Sequence, residues 1–181
     1  MQINIDQKKY LYWLLSFISL LVISMSIYFF LGGFHKIKVV QSKNNHYSIA
    51  GKTIQGIGVH REEKVLWEEV KKMIVDKKLH GDLCIINYRP DTLEDKEIYR
   101  FIGVLLNEDV AIIPAGYSVT EIKAETTFLA ALTMHPLVRP SSEKMDNLLT
   151  DFADSLGYTV RNYTLERHYI DNSMLVEMFA E

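Results

Sequence analysis

Glu166 and His168 lie two residues apart in a run of β-forming residues, and they are the pair best placed for chemistry. Alternate residues of a strand share a face, so the imidazole would stand beside the carboxylate and could pass a proton to or from it. The same carboxylate also offers binding chemistry. In an apolar groove it is costly unless compensated, and a delocalised cation stacked on aromatic walls supplies charge and burial together. Trp67, Tyr88 and Tyr117 are the aromatic candidates for such walls, with Tyr163 a further candidate of the same type. Each of these residues also has an ordinary reading. Arg167 is adjacent to Glu166 and would neutralise it on a plain strand surface, His168 fits a packed or solvated strand position, and Trp67 fits a helix core. Tyr169 faces away from Glu166 if the strand is regular.

Other chemistries find little support. The histidines (His35, His46, His60, His80, His135 and His168) are scattered without ligand spacing, so no metal is expected. There is no G-x-S-x-G, no phosphate-binding glycine loop and no Cys/His arrangement; Gly51, Gly56 and Gly58 read as turn or bulge glycines. No cofactor is expected. Net charge is −3 without a basic stripe, which argues against gripping nucleic acid through its phosphates. The single cysteine, Cys84, sits in Leu83-Cys84-Ile85-Ile86 and reads as a small buried hydrophobe; an intrachain disulfide is impossible.

The elements that would carry these residues begin after an apolar segment. Residues 10–34 hold no charge and exceed the ~20 residues needed to cross a bilayer. Tyr10, Tyr12 and Trp13 at one end and Tyr28, Phe29 and Phe30 near the other resemble interfacial belts. A cleaved signal peptide is the alternative, but the run is long for one and no A-x-A-like site follows. Residues 1–9 form a flank. Lys8 and Lys9 stand before the span and Lys36, Lys38 and Lys43 after it, which leans towards a cytosolic C-terminal domain.

Residues 35–181 write one pattern twice, over modules of about 36–107 and 108–181. In the first, Ile37–Gln41 and Thr53–Val59 read as extended. An amphipathic helix follows from Glu62, with Leu66, Trp67, Val70, Met73 and Ile74 on one stripe and Gly81 as a stop. Leu83–Tyr88 and Tyr99–Leu106 then form a hairpin around Arg89-Pro90-Asp91. In the second, Tyr117–Ile122 and Thr126–Met134 are extended, and Pro136 and Pro140 break the run. Ser141 or Ser142 caps a helix with the stripe Met145, Leu148, Leu149, Phe152 and Leu156, ended by Gly157. Tyr163–Ile170 and Met174–Phe179 make a second hairpin around Asp171-Asn172, so the sequon at Asn162 falls on a strand. The expected fold is α+β: two tandem βαββ modules in pseudo-two-fold arrangement, an antiparallel sheet with two helices on one face, preceded by one transmembrane helix.

Leu66-Trp67, Asn87-Tyr88-Arg89-Pro90, Ile113-Pro114-Ala115-Gly116 and Leu165-Glu166, in this order of elements, resemble the GyrI-like, or effector-binding, small-molecule domains over about residues 36–181. Ala124-Glu125-Thr126-Thr127-Phe128-Leu129 and Met134-His135-Pro136 look closest to a membrane-anchored branch that includes an animal receptor for autophagy of the endoplasmic reticulum. That receptor uses a disordered docking tail, and no such tail follows the last expected strand, so the autophagy role does not carry over.

The resemblance implies a ligand groove between the modules, with Glu166 as the carboxylate that meets cationic aromatic ligands. Two wall positions depart from the family. His168 stands where a tyrosine is usual, and the aromatic pair before the first-half turn is Ile86-Asn87 here, with Tyr88 displaced. The expectation is a single-pass membrane protein whose domain binds a hydrophobic, cationic or amphipathic small molecule through Glu166, His168, Trp67, Tyr88 and Tyr117. The alternatives are a protein-interaction module at a membrane with a degenerate groove, or a small-molecule hydrolase of the same fold with Glu166 as acid/base or nucleophile.

Overall fold

The computed structural model describes residues 5–90, 97–107 and 112–181; Asp91, part of the expected first turn, and the 108–111 start of the second module lie outside them. Two compact units emerge, one made of the chain up to Lys36 with Met134–Arg139, the other of Ile37–Thr133 with Pro140–Glu181.

The first unit is dominated by helix α1, Ile5–Phe30. Its Lys9–Phe30 stretch has a mean hydropathy of 2.1 and is long and apolar enough to span a membrane. Apolar side chains are exposed all round it, from Tyr10 and Trp13 to Phe29 and Phe30. The helix stops at Phe30 rather than running to Phe34. Gly32 takes φ 83°, and the ring of Phe34 folds back edge-on to Tyr28 at 5.0 Å between centroids. The Leu31 carbonyl accepts a hydrogen bond from His135 N at 3.0 Å, just before the short 3-10 turn Pro136–Val138.

The second unit runs β1 (Val39–Ile57), α2 (His60–Val75), β2 (Gly81–Tyr88), β3 (Glu97–Leu106), β4 (Ser118–Leu132), α3 (Ser142–Ser155), β5 (Val160–His168) and β6 (Met174–Ala180). All neighbouring strands are antiparallel, in the closed order β1-β3-β2-β5-β6-β4. The paired extended segments expected at the start of each half are each a single long strand, β1 and β4. Those two strands pair from Val39↔Ala130 to Gly51↔Ser118 and so close the sheet on itself, which local sequence patterns do not reveal. β1 crosses from β4 to β3 where Gly51 lies opposite Gly103. A Cβ on Gly103 would meet the Ala50 carbonyl at 2.3 Å, so only glycine allows that approach.

α2 begins with Glu62 and Glu63 in its first turn and carries Lys72 in its last, in the sense the helix dipole favours. It ends before the expected stop: Lys77 takes the left-handed position at φ 55°, and Gly81 instead opens β2, where a side chain would strike the Leu105 carbonyl. α3 is capped by Ser141, whose Oγ accepts from Lys144 N at 3.4 Å, and Gly157 at φ 77° follows its end. Leu66 and Val70 of α2 pack with Ala50, Leu83, Ile85, Ile102 and Val104. The opposite face of these strands supplies Ile49, Cys84, Ile86, Phe101, Leu165 and Phe179 to a second cluster inside the closed sheet. The helices therefore cover one face of β2 and β5, while the other face encloses its own core.

Candidate functional site

β2 and β5 pair with Ile85 opposite Glu166, Asn87 opposite Thr164 and Leu83 opposite His168. Ile85 and Leu83 pack under α2, so Glu166 and His168 also rise on the helix-covered face. Glu166 is only 8% exposed. Its Oε1 accepts from Asn87 Nδ2 at 2.9 Å and from Ser142 Oγ at 3.2 Å. Because Ser141 performs the capping, the hydroxyl of Ser142 is left to serve the carboxylate. Oε2 lies 3.5 Å from His168 Nε2, an electrostatic contact rather than a well-formed hydrogen bond, and that nitrogen is buried without a hydrogen-bond partner. The rings of Trp67 and His168 form a T-shaped pair at 4.8 Å between centroids and an interplanar angle of 90°.

Burial is the largest influence on the Glu166 carboxyl and pushes its pKa up. His168, Ser142 and the charge of Arg100 outweigh it together and hold the group below the ordinary carboxylate value. Glu166 is therefore an ionised, nearly buried carboxylate whose hydrogen-bond donors, Asn87 and Ser142, are neutral. Arg100 is itself committed to an ion pair with Glu63.

A second carboxylate feels the charge of Glu166. Asp146 of α3 is 8% exposed, with Oδ1 2.6 Å from Arg89 Nη2, which also donates to Thr164 Oγ1 at 3.2 Å. Burial first, and the charge of Glu166 in support, raise its pKa from 3.8 to about 6 against the opposing pull of Arg89. Burial and neighbouring charge thus drive the acidities of the two carboxyls in opposite directions, Glu166 down and Asp146 up, while Asp146 keeps its ion pair with Arg89.

The structure thus brings Glu166, His168 and Trp67 together and leaves the two tyrosines elsewhere. Tyr88 follows Asn87 and so points through the sheet to the enclosed core, where it stacks on Tyr99 at 4.6 Å and lies 5.8 Å from Tyr163. Tyr117 packs against the α2 cluster; its hydroxyl donates to Glu69 at 3.1 Å under the ammonium of Lys52. Arg167 does not neutralise Glu166. It emerges on the enclosed side, where Nη2 pairs with Asp82 at 2.8 Å and Nη1 lies 3.4 Å from the fully buried Glu177. Tyr169 shares that side, its ring 5.6 Å from the Arg167 guanidinium.

Sequence reasoning missed Asn87, Arg89, Ser142 and Asp146 as site residues. Asn87 was visible only as an absent aromatic, Arg89 as turn chemistry, Ser142 as a cap, and Asp146 as the neighbour of Met145 on the apolar stripe. Among the described residues no group of three His, Cys, Asp or Glu side chains is arranged to hold a metal ion.

No protein-family model and no curated protein matches the sequence. Solved structures do match. The EcmrR C-terminal domain superposes with a TM-score of 0.54 at 12% identity, covering 82% of this chain and 98% of that one. EcmrR in a DNA complex gives 0.53 at 12% identity, covering 99% and 72%. SAV2435 bound to tetraphenylphosphonium gives 0.48 at 13%, covering 81% and 94%. The likeness is one of fold. The EcmrR C-terminal domain has a GyrI-like effector-binding fold, and this chain shares its mixed α/β architecture on six antiparallel strands.

Proposed function

We propose that this chain is a single-pass membrane protein of the anchored GyrI-like type, whose domain faces the cytosol and binds a hydrophobic cationic or amphipathic small molecule over Glu166. Residues 36–107 and 108–181 act as tandem βαββ modules related by a pseudo-two-fold axis, and the ligand lies in the groove between them. The observation that carries this reading is the ionised Glu166 carboxylate, nearly buried, served by neutral donors and lying 3.5 Å from His168, whose ring in turn meets Trp67. A ligand cation would enter by displacing the His168 ring from Glu166 and stacking on Trp67. Apolar helix α1 and the basic residues after it support the anchoring and its orientation.

The test is thermal unfolding of the full chain in detergent micelles with a series of lipophilic aryl cations and their neutral isosteres. A cation at a hundredfold its dissociation constant should stabilise the domain by about 2.7 kcal/mol. The stabilisation should vanish in Glu166→Gln. Equal stabilisation by neutral isosteres, or persistence in Glu166→Gln, would remove Glu166 from the binding chemistry.

A second reading, a small-molecule hydrolase, draws on the divergent acidities of Glu166 and Asp146. It requires turnover that rises as Glu166 ionises and falls as Asp146 loses its proton. A pH–rate profile without both limbs would exclude it.

A further inference from the structure

The length of α1 fixes where a bilayer around it must end. Its Lys9–Phe30 stretch has 22 residues, and a hydrocarbon core about 30 Å thick takes about 20, so the core gives out close to Phe30. The last carbonyls of a helix lack partners within it, and at this depth water is a poor substitute for donors from the protein. The chain supplies them. The amides of Leu31, Gly32 and Gly33 turn back to the carbonyls of Ile27, Phe29 and Tyr28 at 2.9, 3.0 and 3.0 Å, and His135 N reaches the Leu31 carbonyl at 3.0 Å. Met134 is buried beside the same bend, where a Cβ on Gly32 would meet its Cβ at 3.3 Å. Met134–Arg139 and the segment up to Lys36 accordingly form one compact unit.

The turn pinned there spends its polar groups on itself. Leu137 N donates to His135 Nδ1 at 3.3 Å, Val138 N to the His135 carbonyl at 3.0 Å, and Arg139 Nε to the Met134 carbonyl at 3.2 Å, while Pro136 has no N–H to satisfy. What it leaves uncovered is apolar: Leu137 is 81% exposed, two residues from the contact with Leu31, and Phe30 and Phe34 are exposed in the same unit. One exposed leucine is ordinary on a protein surface. This one stands on a turn fastened to the end of an apolar helix, with few free backbone groups to desolvate on entering lipid. We propose that the Pro136–Val138 turn is a second membrane contact, which seats Leu137 in the interfacial layer of the bilayer that α1 spans. The partner is the lipid surface, by continuity: the lipid that covers Phe30 reaches the turn held at Leu31. This rests on the membrane-anchored reading of α1. Because the turn joins β4 to α3, the domain is tied to the membrane by two segments of its chain instead of one.

The full chain, with isotope-labelled leucine and isoleucine methyl groups, would be placed in phosphatidylcholine nanodiscs and followed by NMR against two relaxation agents. One is a phosphatidylcholine carrying a nitroxide on its acyl chain, the other a water-soluble gadolinium chelate. Leu20 and Leu21 within α1 report on the anchor, and Ile170, fully exposed between β5 and β6, reports on solvent. The Leu137 methyl signals should be broadened by the lipid nitroxide and spared by gadolinium, as those of Leu20 and Leu21 are, and Ile170 should behave in the opposite way. Broadening of Leu137 by gadolinium to the extent seen at Ile170, with Leu20 and Leu21 spared, would overturn the proposal and leave the anchor standing. Protection of Leu137 from both agents would mean that protein rather than lipid covers the turn, and would overturn it equally. Gadolinium reaching Leu20 and Leu21 would remove the anchor and the proposal together.

Discussion

Asp146 makes a pH dependence that can be worked from its surroundings. The folded protein holds its pKa at about 6 against an ordinary 3.8, burial being the main cause. Between those values the folded chain keeps a proton that the unfolded chain has released. Folding then takes up a proton, so stability is greatest below the ordinary value and falls as pH rises through the folded one. At 1.36 kcal/mol per unit, this shift corresponds to about 2 to 3 kcal/mol. Glu166 has the opposite sign. Its pKa is lowered, so its contribution is present above the ordinary carboxylate value and is lost only as pH falls below it. Asp146→Asn should therefore flatten the stability profile of the full chain between about pH 4 and pH 6, the wild type losing about 2 to 3 kcal/mol relative to the variant across that window. Urea unfolding in micelles, followed by circular dichroism, measures the difference. A titration of the Asp146 carboxyl carbon by NMR locates the midpoint directly. Parallel stability profiles, or a midpoint at the ordinary aspartate value, would show that burial does not govern this group.

Two further perturbations address the enclosed side of the sheet. Tyr47→Phe removes the hydroxyl that donates to Glu177 at 2.6 Å while keeping the ring beside Phe179, so it should cost about 1 to 3 kcal/mol, the penalty for leaving a buried acceptor without its donor. A melting temperature equal to the wild type's would mean that Glu177 draws its support elsewhere. Gly103→Ala forces a methyl group to within 2.3 Å of the Ala50 carbonyl, where β1 passes between its two partner strands. A loss of about 3 kcal/mol or more is expected from this backbone displacement, visible as early thermal unfolding of the domain, and an unperturbed melt would contradict so close an approach of the two strands.

Much of the candidate site was readable in the chain because it depends on parity within one strand. Glu166 and His168 are two residues apart, and any regular strand puts them side by side. Parity alone also separates Arg167 from Glu166, yet adjacency in sequence makes the pair look like natural partners until Asp82 and Glu177 are found on the other side. Tyr88 lies on the face opposite Glu166 for the same kind of reason. Its face is set by the register Asn87↔Thr164 between strands of different halves, and nothing local to Tyr88 encodes that register.

The sequence by itself determined the apolar helix, both amphipathic helices, the hairpins and their order. These follow from periodicities and breakers acting over a few residues: the uncharged run ahead of Gly32, the stripes beginning at Leu66 and Met145, and the glycine that ends α3. Only the tertiary structure decided that β1 and β4 would pair and close the sheet. It likewise decided that Asn87 and Ser142, 79 and 24 residues from Glu166 in sequence, would converge on its carboxylate. The physical reason is range. Helix and strand patterns are written by neighbours, whereas strand pairing, burial and the acidity they impose on Glu166 and Asp146 exist only once distant segments exclude water together.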